Sequence, residues 1–569
     1  MAMILQYSQR LSSVKLEKWQ IGVLCSAPFV IGLGSIAAKK LFGGKMKGKK
    51  MEAAESHTPA QKLALSKEAI VLKTEGNNCY RSERYEDAVL CYDKAIEKCP
   101  KDQSIDMSML LHNRAAAYEM LKNWDKVMQD CTESLEYSPR YFKSYARRAR
   151  AYEARNQLKA SLDDITACCI LEMFQNKHSI VFADQILKLT GREDADAEIA
   201  NRPPIVPSLF VVNSYMRTFI DDPLQTISVQ ALAKTPSPNG FVRAHWAFRG
   251  GAFTEIIPGC TEEIEESLNE SPYKLEALLM RGTFHMLSNS FVESKRDFGA
   301  IIDDPNADDP FRAYAYIRRA TVHTLLNERE AAIADFDAAE EIQSANPDVY
   351  LQRALVLMPQ DHTEVELAQY EMAVALAPNN GFAVIKKCYV DYRATLLTGG
   401  NEKRKEDAMR RFQEAIVKFP QCVESYSLMA QVLVDQQDFA NANKKYEEAL
   451  KLEPSNSSVM VQHALMVLQW RGDKEMATEL LNQAIVVNPQ CQQAYETLGT
   501  IEVQRVHLKA AVEQFDKAIG CCSSYEDLVH AFALRNAAQA QINVTDKLSI
   551  DIEGMNELVQ QRRPRPTPY

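Results

Sequence analysis

Glycine is scarce in this sequence, at 21 of 569 residues, about half the usual share of roughly 7%. Parallel α/β enzymes place glycine in phosphate loops and tight turns, so the shortage points to helix and away from that class. Thirteen cysteines are too few for a disulfide scaffold and form no C-x-x-C pair. Ten histidines supply no H-E-x-x-H, and neither a Walker loop nor G-x-S-x-G occurs. Gly32-x-Gly34-x-x-Ala37 matches the dinucleotide fingerprint as a string only, because no strand precedes it. The chain is read as a non-enzyme with no cofactor and no metal.

Negative charge outweighs positive, except at the start. The net charge is −10, yet residues 1–50 hold nine Lys or Arg against Glu17 alone, a local balance of +8 that leaves −18 for the remainder. An acidic body of that size repels phosphate backbones, which argues against nucleic acid as a partner. Trp19–Ala38 carries no charge over twenty residues, enough at 1.5 Å per residue to cross about 30 Å of hydrocarbon. Six lysines follow in 39–50 and three basic residues precede the span, so the carboxy-terminal side is expected to stay cytosolic. A secretory signal has a shorter apolar region and a small-residue cleavage site; neither is evident here.

The rest of the chain repeats. Pro420, Pro454 and Pro489 stand 34 and 35 residues apart. Each follows a small–aromatic or aliphatic–small triplet: Ala408, Phe412, Ala415; Ala442, Tyr446, Ala449; Ala477, Leu481, Ala484. Such a triplet lies on one helix face. The large side chain fills a hole, the alanines permit close approach, and the proline ends the unit. A helix–turn–helix of this period is the tetratricopeptide repeat, TPR.

The fold class expected is therefore all-α, a TPR superhelical solenoid of about 11 repeats in two blocks behind an N-terminal transmembrane helix. The segments are 1–18 (amino-terminal, intermembrane side), 19–38 (anchor), 39–65 (basic and polar linker), 66–170 (repeats one to three), 171–272 (connector), 273–550 (repeats four to eleven) and 551–569 (tail). Within the connector, three prolines between Pro203 and Pro207 exclude uninterrupted helix.

Concave positions of a TPR are set by its register. In the first block they hold Lys73, Asn77, Asn113, Lys143 and Arg147, three cations and two amides that can grip paired carboxylates through charge-assisted bonds. In the second block they hold Leu279, Met280, Ile317, Leu351, Met358, Leu428 and Met466, an aliphatic and methionine surface suited to varied apolar segments.

Lys73-x-x-Gly-Asn77, His-Asn113-Arg-Ala-Ala-Ala-Tyr and Lys143-Ser-Tyr-Ala-Arg147 resemble the dicarboxylate clamp of chaperone-binding TPR proteins. That clamp grips the Glu-Glu-Val-Asp tail of the seventy- and ninety-kilodalton heat-shock chaperones. The whole layout of anchor, clamp, Arg-Pro-Pro-Ile connector and further repeats resembles the large TPR receptors of the mitochondrial outer-membrane translocase, the TOM complex. The resemblance implies a single-pass outer-membrane receptor with its amino terminus in the intermembrane space and its bulk in the cytosol. Its implied partners are those chaperones, hydrophobic carrier-type preproteins with internal signals, and other translocase subunits. The competing reading is a TPR co-chaperone on another membrane, such as the endoplasmic reticulum.

Overall fold

The structure, a computed structural model, describes residues 59–550 apart from 101–103, 173, 200–201, 228–239, 267–271, 358–362, 398–401 and 523. The expected anchor at 19–38, its flanks and the tail 551–569 lie outside the described residues. Among the described residues no helix is long and apolar enough to cross a membrane.

The described chain is built of antiparallel helix pairs. Pro59–Arg81 packs on Tyr85–Lys98, Ser104–Met120 on Trp124–Tyr137, and Phe142–Ala154 on Leu158–Leu171. Further pairs run through the second block as far as Gln492–Gln504 and Leu508–Cys521. The triplets do what their spacing predicts: Ala332, Phe336 and Ala339, like Ala511, Phe515 and Ala518, are fully buried. This is an all-α TPR solenoid.

The described turns inside these pairs explain much of the glycine shortage. In seven of them the residue in the left-handed region is Glu83, Lys122, Asn156, Asn289, Asn327, Gln437 or Val506, with φ between 54° and 66°. Gly472 does the same with φ 63°. Glycine is the low-energy choice at such a position, but most of these turns do without it.

A second repeating device escapes simple patterning. Arg114 makes paired hydrogen bonds to Asp130 at 2.9 and 2.7 Å, and Arg148 does so to Asp164 at 2.6 and 2.8 Å. Arg281–Asp297 and Arg319–Asp335 repeat the arrangement with distances of 2.7 and 2.9 Å. Each pair spans sixteen residues and staples the first helix of a repeat to the second by a planar, two-point contact.

The chain forms two compact units. Among the described residues, one comprises those up to 197 together with 499–516 and 529–550; the other comprises 198–498 with 517–528. This redraws the expected segments. Lys177–Ile199, placed in the connector by its sequence, packs Ala183, Ile186 and Leu187 against Leu162 and Ile165 of the first block. The last helix, Tyr525–Leu548, buries Ala537, Ala540 and Val544 in that same core instead of closing the second block. The connector also contains a helix pair of its own, Gly240–Gly250 with Ile256–Glu266. Gly259 lets that pair close, since a Cβ there would lie 2.9 Å from the Gly240 carbonyl oxygen.

Candidate functional site

The five expected clamp residues stand on the first helices of three successive repeats. Lys73 and Asn77 lie one turn apart on Pro59–Arg81, Asn113 on Ser104–Met120, and Lys143 and Arg147 one turn apart on Phe142–Ala154. Two of them touch: Asn113 Nδ2 donates to Asn77 Oδ1 at 3.3 Å. The same oxygen accepts from the Tyr92 hydroxyl at 2.8 Å.

Arg147 is held from the other side. Its Nε donates to Glu119 at 2.7 Å, and Arg150 bonds the other oxygen of that carboxylate at 2.7 Å. Arg147 Nη1 donates to the carbonyl oxygen of His112 at 2.9 Å and lies 2.7 Å from the imidazole Nε2. A cation on Nε2 requires a neutral ring that accepts there. The same Nη1 lies 3.1 Å from Nδ1, which is also 3.3 Å from Ser144 Oγ, and a chain of hydroxyls runs on to Ser134 and Ser108. Burial, reinforced by Arg147, Lys143 and Arg150, drives the His112 imidazole down to about 2. The carboxyl of Glu119 is held below its usual range: burial opposes ionisation, and the bonds from Arg150 and Arg147 outweigh it.

Lys73 and Lys143 are different. Among the described residues neither has a carboxylate within 4 Å, and Lys143 is exposed. The site thus combines an anchored guanidinium, a paired amide bridge and two uncommitted ammonium groups. Such a set can accept a ligand bearing two nearby carboxylates. Sequence reasoning found the five side chains but missed Tyr92, His112 and Glu119, which orient them. His112 and Glu119 flank Asn113 on its own helix, at spacings that put them against the next repeat.

The second-block expectation requires correction. Leu279, Met280, Ile317 and Leu351 have no exposed surface, Leu428 is 4% and Met466 2% exposed; Met358 lies outside the described residues. Leu279, Met280, Ile317 and Leu351 do not form an open groove, because the connector covers them; Leu428 lines a separate cleft. Ser208 caps the short helix Leu209–Met216. Val212, Tyr215, Met216, Phe219 and Leu224 from this stretch join Leu279, Met280, Ile317 and Leu351 in one core.

Polar bonds fasten the same segment. The Asp348 carboxylate accepts the backbone N–H groups of Ile220 and Asp221 at 2.8 and 2.9 Å and the Tyr314 hydroxyl at 2.6 Å. Gln352 Nε2 donates to the Thr218 carbonyl at 2.9 Å. Arg318 pairs with Asp222 at 2.7 Å, both fully buried, with the guanidinium 4.8 Å from the centre of the Phe219 ring.

Beyond the connector helix the same unit keeps an open cleft of about 650 Å³, mouth included. It is lined by Phe210, Arg217, Phe382, Lys386, Leu428, Gln431 and Gln462 among others. Burial holds the Lys386 ammonium below its ordinary range, with Glu424 and Glu366 opposing. The cleft is mixed in character, not the aliphatic and methionine surface expected. Among the described residues no three His, Cys, Asp or Glu side chains stand where they could hold a metal ion.

Comparison with known proteins gives four results. The tetratricopeptide-repeat family matches residues 423–456. Over 573 residues the chain is 34% identical to the mitochondrial import receptor subunit TOM70 of Homo sapiens, covering 94% of this chain and 93% of the human one. The Saccharomyces cerevisiae receptor subunit of the same name is 26% identical over 513 residues, 84% of this chain and 80% of the yeast one. The crystal structure of yeast Tom70 aligns at 21% identity with a TM-score of 0.49, over 86% of this chain and 99% of that one.

Proposed function

The chain belongs to the family of the mitochondrial import receptor subunit TOM70, and from that premise we propose how it works. It is a mitochondrial import receptor of the outer membrane that docks heat-shock chaperones by their Glu-Glu-Val-Asp tails and receives the hydrophobic preproteins they carry. It acts by binding and transfer to the translocase pore, without a reaction of its own. Residues 19–38 anchor it, with the amino terminus in the intermembrane space and residues from 39 onward in the cytosol.

One observation carries the chaperone reading: three cations and two amides stand on the first helices of three successive repeats, with Asn77 and Asn113 bonded and Arg147 already fixed by Glu119 and His112. The tail's terminal carboxylate and last aspartate supply the two anions. Fixing the guanidinium beforehand lowers the entropy lost on binding. The uncommitted Lys73 and Lys143 add long-range attraction that salt screens. The cleft between the connector helix and Leu428, apolar through Phe210 and Phe382 and polar through Gln431 and Gln462, is the surface proposed to hold preprotein segments.

Import assays test this reading. In cells whose receptor is replaced by the variant carrying Lys143→Ala and Arg147→Ala, import of chaperone-delivered hydrophobic precursors should fall, while import of soluble precursors with cleavable presequences should be unaffected. Equal import of both classes in variant and wild type would overturn the proposal. A fluorescent protein fused behind residues 1–65 should mark the mitochondrial rim. Reticular staining would instead favour another membrane.

A further inference from the structure

The slot filled by Tyr92 is a packing position. Its ring lies against Gly76, where an added Cβ would fall 2.6 Å from the ring carbon Cε1. The arrangement recurs at Gly282 with Phe298 and at Gly499 with Phe515, at 2.7 and 2.5 Å. Phenylalanine fills the hole completely in those repeats, with no exposed surface on either ring. Packing alone therefore asks for no hydroxyl.

In the first repeat the hydroxyl has a second partner. Gly76 precedes Asn77, so the ring that enters over the glycine brings its oxygen to the next side chain, 2.8 Å from Asn77 Oδ1. Burial, joined by Tyr80 and the two neighbouring thiols, pushes the phenol up to about 12, so it stays protonated and able to donate. Asn113 Nδ2 donates to the same oxygen at 3.3 Å. A primary amide has one acceptor and two donors on opposite sides. Two donors on Oδ1 lock its rotation and leave Nδ2 as the group offered to an anion. Turned over, the amide would present a carbonyl oxygen to a carboxylate and repel it.

We propose that Tyr92 is a positioning residue of the clamp, its hydroxyl fixing the amide of Asn77 so that Nδ2 donates to a carboxylate of the bound tail. This rests on the clamp reading above. Gly76 belongs to the device, since any larger residue there would push the ring and its hydroxyl off the amide.

A double-mutant cycle on the full-length chain in detergent tests it, with calorimetric titration of a peptide ending Glu-Glu-Val-Asp against wild type, Tyr92→Phe, Asn77→Ala and the double variant. Phe298 and Phe515 show that phenylalanine suits the slot, and an unchanged helical circular-dichroism spectrum verifies the fold. Tyr92→Phe should weaken binding about threefold to tenfold, the worth of one net hydrogen bond. In the Asn77→Ala background the same change should alter affinity by less than about twofold, because the two act as one unit. Full affinity in Tyr92→Phe, or an equal loss in both backgrounds, would overturn the inference while leaving the clamp intact. Unchanged binding in Asn77→Ala would instead remove Asn77 from the clamp, and the inference with it.

Discussion

His112 shows how one residue can sit inside a cationic site while carrying no charge. It accepts from the Arg147 cation and sits within reach of the charges of Lys143 and Arg150, and burial adds to their effect. Its folded pKa, about 2, lies below that of an unfolded histidine. Between those values the unfolded chain binds a proton that the folded chain refuses. The contribution is therefore complete above about pH 6.5 and is lost as pH falls below it, at up to about 1.4 kcal/mol per pH unit. The His112 ring resonances should not titrate between pH 8 and 5. Amide-exchange protection of Ser104–Met120, corrected for intrinsic rate, should drop from pH 7 to 5.5 in wild type and much less in His112→Asn.

The Arg–Asp staples make a second prediction at this scale. Arg148 and Asp164 are each less than a tenth exposed, so Asp164→Ala strands a buried cation and should cost about 3–5 kcal/mol. A shift of that size in the denaturation midpoint of the first unit checks it. An exposed pair such as Arg410–Asp407 should give less than about 1 kcal/mol.

Among elements, the turns and the connector behave oppositely. The turns are local, so their chemistry is readable one at a time. Val506 is a β-branched residue at φ 66°, where a side chain is strained by about 1–2 kcal/mol, and it is only partly buried. Val506→Asn should raise the melting temperature and stabilise by about 0.5–1 kcal/mol, measured by thermal denaturation. The helix pairs themselves were legible for the same reason: each small–large–small triplet declares its buried face within eight residues.

The connector is not local. Thr218 meets Gln352 across 134 residues, and nothing in the period of either repeat announces the contact. That is why Leu279, Ile317 and Leu351 read as an open groove from the sequence and prove to be covered. Arg318 held the useful signal, as a charge among apolar concave residues that needed a partner. Asp222→Ala leaves that guanidinium buried and unpaired, which should cost about 3–5 kcal/mol and speed amide exchange in Leu209–Met216. Adding Arg318→Met should recover much of the loss. If exchange in that helix stays at its wild-type rate in Asp222→Ala, the buried pair does not fasten the connector.

For the whole molecule, net charge misleads about binding. The body is acidic by eighteen units, yet its candidate docking site is a cationic one. The placement of the five candidate residues on the first helices of their repeats was legible because each sits at a fixed place in its repeat. Their orienters were not, since Tyr92 counts as packing in the pattern and Glu119 as surface. The block boundary was misread because Ala537, Ala540 and Val544 of the last helix complete the first unit's core, a closure between chain segments that no repeat period encodes.

The proposed clamp of this receptor grips a doubly anionic chaperone tail through Lys73, Asn77, Asn113, Lys143 and Arg147. Titration of a Glu-Glu-Val-Asp peptide against the full chain and its Arg147→Ala variant, at low and high salt, tests it most directly. Removing one partner of a partly buried charge pair should cost about 2–5 kcal/mol, and wild-type binding should weaken as salt rises. Equal affinity in wild type and Arg147→Ala, indifferent to salt, would show that these residues do not form a carboxylate clamp.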